Sequence, residues 1–236
     1  MRTPEAVTFD FYLTLVLNPE GKTRGQAYCD YLAERNLPHA PWEHQMLYDI
    51  FPYYGEAYRP DMPEDRKNRF WREFTRRLFF RTEVRVTEEA AVREHVPAIR
   101  NIFSSNFFRL YDDVHTVLNR LREGGIKLAV VSNWPGGLNY FCEELGISHY
   151  FQAILGSGDF GRAKPDPRIF HEVAMRLQCH SGTVFHVGDT LEEDVKGAER
   201  AGFRGILLDR TGSCTAEDVH VIHDLYQLEK MISLET

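Results

Sequence analysis

The chain has 236 residues, with 43% hydrophobic and 27% charged side chains and no low-complexity tract, which excludes a disordered or fibrous protein and allows one large domain or a core with an insert. The formal charge of −7 lacks the basic surplus of a generic nucleic-acid binder, and no run approaches the roughly 18 apolar residues of a membrane helix. Cys29, Cys142, Cys179 and Cys214 are far apart, so isolated thiols are expected rather than a disulfide framework or a zinc site. There is no charged segment followed by a long apolar stretch at the start, so a cytoplasmic protein is expected, with a small-molecule partner and neither a nucleic-acid nor a membrane partner.

Ala6 to Phe9 reads as a short buried strand ending at Asp10. From about Asp112 the pattern becomes regular. Val114, Val117, Leu118 and Leu121 mark one face of a helix over 114–122, stopped by Gly124 and Gly125. Lys127 to Val131 reads as a buried strand, Leu138 to Leu145 as a helix ended by Gly146, and Phe151 to Leu155 as a strand. A helix over 167–177 starts with proline in its first turn. A strand over 183–187, a helix over 191–201 and a strand over 204–208 follow. Strands alternating with helices of this length imply an α/β fold with a parallel sheet covered on both faces. The interval from Val16 to Phe108 has helical periodicity and few strand-like runs, and reads as a helical insert with hinges near 17–19 and 109–112.

Ligands of open α/β sheets bind beyond the carboxyl ends of the strands. Asp10, Tyr12 and Thr14 follow the first strand, Ser132 and Asn133 the second, Lys164 lies beyond the third, and Asp189 and Asp194 follow the fourth. Three carboxylates, one lysine and small hydroxyl residues therefore converge on one rim. A carboxylate there can act as a nucleophile, and hydroxyls and lysine can hold a phosphoryl group. Carboxylates so gathered repel one another, and magnesium accepts one or two of them together with water and substrate phosphate.

These runs resemble the four motifs of the haloacid dehalogenase superfamily. Phe9-Asp10-Phe11-Tyr12-Leu13-Thr14-Leu15 is similar to the first, Val130-Val131-Ser132-Asn133 to the second, Lys164-Pro165-Asp166-Pro167 to the third, and His186-Val187-Gly188-Asp189 with Asp194 to the fourth. The resemblance implies a Rossmann-like parallel sheet core over residues 1–16 and 109–236, with a helical cap inserted over 17–108. It implies a hydrolase in which Asp10 attacks the substrate, Thr14, Ser132 and Asn133 line the transferring group, and Lys164 steadies Asp10. Mg2+ would be held by Asp10, the Tyr12 carbonyl and Asp189, with Asp194 supporting it. The substrate is expected to be a small anionic molecule and the protein a monomer or homodimer. Phosphatases of the family carry a second aspartate as general acid two residues after the nucleophile, where this chain has Tyr12. The family's 2-haloacid dehalogenases have tyrosine there and need no metal, but lack the Gly-Asp-x4-Asp pattern retained here. They also use a tyrosine six residues after the lysine, where this chain has Phe170. The retained metal pattern weighs toward a magnesium-dependent phosphatase, with a metal-independent dehalogenase or a catalytically weakened binding protein as the alternatives.

Other features read more plainly. Gly156 to Gly161 matches G-x-G-x-x-G, but Pro165 and Pro167 follow it and no helix opens on its third glycine, so nucleotide binding there is not expected. His220 and His223 could share a helix face, as a surface pair. His186 reads as a strand residue beside the site, and Trp134 as a residue at its mouth. Arg59 to Arg85 holds nine Lys/Arg against five Asp/Glu: a solvated helix face or a patch for an anionic ligand. The aromatics of the insert read as helical core.

Overall fold

A computed structural model describes residues 3–216 and 218–233. In chain order the elements are β1 (Ala6–Phe9), β2 (Val16–Leu17), α1 (Arg24–Glu34), α2 (Gln45–Ala57), α3 (Glu64–Arg81), α4 (Glu89–Phe103), β3 (Arg109–Leu110), α5 (Val114–Glu123) and β4 (Lys127–Ser132). Then come α6 (Leu138–Glu144), β5 (Ala153–Gly156), α7 (Ser157–Phe160), α8 (Pro167–Leu177), β6 (Val184–Gly188), α9 (Gly197–Arg200), β7 (Arg204–Leu208), β8 (His220–Ile222) and α10 (Leu225–Ser233). A π-helical turn, Leu191–Lys196, leads into α9. The chain divides into two units. One comprises Met1–Leu17, Leu110–Trp134 and Gly146–Thr236; the other comprises Asn18–Arg109 and Pro135–Leu145.

The first unit is built on a six-stranded parallel sheet in the order β5-β4-β1-β6-β7-β8. This is the Rossmann-like core that the alternation of strands and helices implies. β1 is buried along its whole length, with β4 on one side and β6 on the other. The chain order therefore reverses at β1, the place where open sheets present a crevice beyond their carboxyl ends. Ala129 and Val131 of β4 join Ile169, Phe170 and Val173 of α8 in one apolar cluster. Leu128 and Val130, which alternate with them, face the other way, and α5 also packs on β4. Asp166 caps α8 by accepting from the Arg168 amide, with Pro167 at the first helical position.

The expected helix over 191–201 forms as the π-helical turn followed by α9. This segment lies hard against the sheet. A Cβ on Gly205 of β7 would stand 2.6 Å from the Val195 carbonyl oxygen, and one on Gly188 of β6 would overlap the Asp194 side chain. Glycine at both places admits the turn. After β7 the chain adds β8 and α10, which the hydrophobic pattern did not reveal.

In the helical unit, α1 opens on a capping box in which Thr23 accepts from the Gln26 amide and Gln26 accepts from the Thr23 amide. Phe51, Tyr54, Tyr58, Trp71, Phe74 and Phe79 are buried, as core aromatics should be, whereas Phe80 is exposed. The unit also takes in α6, which the sequence pattern groups with the core: Phe141 of α6 stacks on Tyr54 at 5.2 Å, and Glu144 accepts from the Tyr58 hydroxyl at 2.5 Å. Periodicity shows that α6 has an apolar face but not what that face meets. The four cysteines carry free thiols.

Candidate active site

Asp10 follows β1 directly, is 6% exposed, and donates its backbone N–H to the Val187 carbonyl at 2.8 Å, which fixes its start point at the edge of β6. The chain then turns sharply: the amides of Leu15 and Val16 both bond to the Phe11 carbonyl, and Leu13 sits at φ 61, a conformation uncommon for a residue with a Cβ. Thr14, inside this turn, is fully buried, and its hydroxyl has no hydrogen-bond partner among the described residues. A buried orphan hydroxyl costs free energy unless a ligand supplies its partner. Ser132, at the end of β4, is close enough to the Asp10 carboxylate to favour its ionised form.

Lys164 reaches into this floor. Its Nζ donates to Asp10 Oδ1 at 2.5 Å and also to Asp194 Oδ1, with the lysine and both carboxylates almost wholly buried. Asn133 holds the lysine backbone from both sides, donating to the Lys164 carbonyl at 2.9 Å and accepting from the Lys164 amide at 2.7 Å. Its amide also donates to Glu193. Asn133 therefore positions Lys164.

Asp194 has no oxygen to spare. Oδ1 accepts from Lys164 and His186 Nε2; Oδ2 accepts from the Thr190 amide at 2.9 Å and the Thr190 hydroxyl at 2.6 Å. Asp194 therefore anchors the lysine. The hydrogen bonds also fix the tautomer of fully buried His186. An ionised Asp194 only accepts, so Nε2 carries the proton; Nδ1 then accepts from the Thr8 hydroxyl, 2.8 Å away. A chain of contacts thus runs Thr8–His186–Asp194–Lys164–Asp10.

The electrostatics follow from one lysine serving several carboxylates. Burial works against the ionised form of Asp194, but Lys164 and His186 outweigh it and hold the carboxyl well below the usual range. Burial and the Asp194 charge raise Asp10, against the opposition of Lys164 and Ser132. Asp189, just beyond β6 and partly exposed, is pushed up to about 7 by burial and by the charges of Asp10 and Asp194. Burial disfavours the Lys164 charge, yet Asp10 and Asp194 more than offset that and raise its pKa. Burial lowers His186, in keeping with a neutral ring.

The structure thus joins Asp10, Lys164 and Asp194 by direct contact, with Ser132 beside Asp10, Asn133 behind the lysine and Asp189 close enough for its charge to be felt. Tyr12 is half-buried and bridges to Val16. Among the described residues no three His, Cys, Asp or Glu side chains form a group that could hold a metal by themselves. Trp134 is buried against Phe11, edge to face at 5.0 Å. Gly156 to Gly161 forms only the short α7, and no helix opens on Gly161. His220 lies in β8 beside Arg204, and the His223 ring bonds to the Asp209 carbonyl, so the two histidines share no helix face.

One feature of the site escapes sequence reading altogether. Arg210, just past β7, forks onto buried Asp113 at 2.9 and 3.0 Å, donates to the Thr14 carbonyl at 2.8 Å and lies 3.7 Å over the Tyr111 ring. Asp113 also accepts from the Leu225 amide at the start of α10. Arg210 therefore ties the turn that carries Thr14 to the rest of the sheet unit. A lone arginine 196 residues from its partner leaves no pattern to find.

A family profile described as haloacid dehalogenase-like hydrolase matches residues 43–208, and the chain belongs to that family. The match takes in the second, third and fourth motifs; the Asp10 run lies outside it. The chain is 30% identical to the bovine (Bos taurus) haloacid dehalogenase-like hydrolase domain-containing protein 3, over 67% of this chain and 61% of that protein. It is 38% identical to a glyceraldehyde 3-phosphate phosphatase of Methanopyrus kandleri, over 44% of this chain and 45% of that one. It thus aligns with less than two thirds of either relative's length. A 2-haloacid dehalogenase from Pseudomonas syringae shares the fold, with a TM-score of 0.64 at 23% identity and all of both chains covered. No helix among the described residues is long and apolar enough to cross a membrane.

Proposed function

We propose that the protein is a magnesium-dependent phosphatase of small phosphorylated metabolites, with Asp10 as its covalent nucleophile. The observation that carries this reading is the charge count: among the described residues, Asp10, Asp189 and Asp194 gather around one lysine, Lys164. The deficit of two positive charges is that of one divalent cation. Asp10, Asp189 and the Tyr12 carbonyl would hold it, a small donor set of the kind magnesium accepts, with water and substrate phosphate completing the shell. Magnesium would supply charge neutralisation for the carboxylates and for the phosphoryl group.

In this reading the Asp10 carboxylate attacks phosphorus, the bond from phosphorus to the substrate oxygen breaks, and an aspartyl phosphate forms. The Thr14 and Ser132 hydroxyls donate to the phosphoryl oxygens, which gives Thr14 its missing partner, and Lys164 offsets their charge. Water then cleaves the acyl phosphate, releasing phosphate and restoring Asp10. A phenol is a poor acid or base at neutral pH, so with Tyr12 where the family's phosphatases carry an aspartate, substrates with good leaving groups are favoured. The similarity to a glyceraldehyde 3-phosphate phosphatase supports phosphoryl chemistry.

Tyr12 favours the second reading, a metal-independent 2-haloacid dehalogenase. Phe170 opposes it: where those enzymes place a tyrosine, this ring is fully buried, packed on His186 at 5.0 Å and Phe203 at 5.7 Å, and offers no hydroxyl. The test is a panel of phosphate esters and 2-haloacids assayed with magnesium and with EDTA. Magnesium-dependent phosphate release that disappears in Asp10→Asn is the expected result. Halide release in EDTA, without phosphate release under either condition, would overturn the phosphatase reading.

A further inference from the structure

The turn that carries Thr14 is held both by its own backbone and by residues far along the chain. Within the turn, the Leu15 and Val16 amides donate to the Phe11 carbonyl at 2.9 and 3.1 Å, and the Leu13 amide donates to the Val16 carbonyl at 2.7 Å. From outside the turn, two successive carbonyls are tied down. Thr14 accepts from Arg210 Nη2 at 2.8 Å, and Leu15 accepts from the Tyr111 amide at 3.1 Å. These two holders also meet each other, since the Arg210 guanidinium lies 3.7 Å from the centroid of the Tyr111 ring.

Arg210 is itself fixed in place. Its Nη1 and Nη2 fork onto Asp113, which is 4% exposed and accepts in addition from the Leu225 amide at 2.8 Å. A buried carboxylate requires a cationic partner, and the fork supplies one. That requirement accounts for the bonds to Asp113. It does not account for the further bond from Nη2 to Thr14, the residue whose fully buried hydroxyl has no hydrogen-bond partner among the described residues. Holding the Thr14 carbonyl orients the peptide unit that follows its Cα, and so limits where the side chain can point. The planar guanidinium serves a carboxylate and a carbonyl while its face lies on a ring, which a lysine ammonium cannot do.

We propose, on the phosphatase reading given above, that Arg210 is a positioning residue: through the Thr14 carbonyl it sets the place from which the Thr14 hydroxyl donates to the transferring phosphoryl group. A donor accelerates such a reaction when it is aimed beforehand at the developing charge. A displacement of about 1 Å can cost about a hundredfold in rate.

The experiment is a double-mutant cycle on phosphate ester hydrolysis with Arg210→Lys and Thr14→Val, run well below the unfolding temperature of each variant. Thr14→Val should lower kcat by about a hundredfold or more. Arg210→Lys should lower kcat by about tenfold or more at nearly constant KM. In the Thr14→Val background, Arg210→Lys should change kcat by about twofold at most, whereas an arginine with a merely structural role would lower it equally in both backgrounds. Hydrogen exchange of the unliganded proteins in EDTA supplies a readout independent of turnover. In Arg210→Lys the Leu15 and Val16 amides should exchange about tenfold faster, beyond any change in the amides of β4, which report global unfolding. Should Arg210→Lys not fold, Arg210→Gln/Asp113→Asn, which leaves no buried charge at this place, takes its position in the cycle. A wild type that hydrolyses no phosphate ester would overturn the phosphatase reading and the role of Thr14 with it. A phosphatase in which the two substitutions act additively, or in which the turn amides only follow those of β4, would overturn the role of Arg210 and leave the phosphatase reading standing.

Discussion

Replacing Lys164 by methionine keeps the length of the side chain and removes the cation that bridges Asp10 and Asp194. All three groups are nearly inaccessible, with side-chain exposures of 2%, 9% and 1%. Deleting one partner from a buried ion pair costs about 3–5 kcal/mol. At roughly 2–4 °C per kcal/mol for a chain of this size, the melting temperature should fall by about 6–20 °C near neutral pH. The pH dependence identifies the cause. Asp194 is depressed in the wild type, so it stabilises the fold above the ordinary carboxylate pKa, and that contribution is lost as pH falls. Asp10 is raised, so its contribution is present at low pH and is lost as pH rises through its folded value. Without the lysine Asp10 rises further, and the folded variant holds one more proton than the unfolded chain from about pH 4 upward. Its stability then falls with rising pH by up to about 1.4 kcal/mol per unit. Urea unfolding in EDTA at pH 5, 6.5 and 8 should show a loss against wild type that is large at pH 8 and smaller at pH 5. Lys164→Met/Asp10→Asn, which leaves one buried carboxylate, should recover much of the loss at pH 8. A Lys164→Met protein equally destabilised at pH 5 and pH 8, or not destabilised at all, would refute the shared-lysine account.

Arg210→Ala should destabilise by about 3–5 kcal/mol, because among the described residues Asp113 is left buried with the Leu225 amide as its side-chain partner. Arg210→Lys, which keeps the charge but loses the fork, should fall between, as thermal unfolding would show. Tyr58→Phe removes the donor to Glu144 and should cost about 1.5–3 kcal/mol in urea unfolding, with little effect if that bond is dispensable.

The parallel core was legible because its strands are short apolar runs ending in residues that no core needs: Asp10 after β1, Ser132 at the end of β4, Asp189 after β6. The start of α8 was legible for a local reason as well, since Asp166-Pro167 is a cap followed by a first-turn proline. What escaped depends on contacts between distant residues. The three residues of β8 are too few to show a period, and β8 is recognisable only by its pairing with β7. Asn133 reads as one more polar residue near a phosphate, but its amide is spent on the backbone of Lys164, 31 residues on. Asp194 reads as a metal-site carboxylate, and only the positions of Thr190, His186 and Lys164 around it show that all its acceptor positions are taken.

The same arrangement links stability to chemistry. A nucleophilic carboxylate must be ionised, yet burial and the neighbouring Asp194 both push Asp10 toward its protonated form, and Lys164 has to serve the two together. The fold could relieve this by moving Asp194 away, but Asp194 is what holds the lysine in place, backed by His186 and Thr8 from within the sheet. The remaining deficit of charge is carried at Asp189, the most accessible of the three carboxylates, raised to about 7. In the proposed reaction a substrate phosphate brings further negative charge to this crevice, so a cation at Asp189 and Asp10 serves the empty site and the loaded one alike. That cation does nothing for the departing oxygen. In the proposed reaction Tyr12 stands in sequence where the family's phosphatases carry their acid, and a phenol there would confine efficient turnover to leaving groups stable as anions.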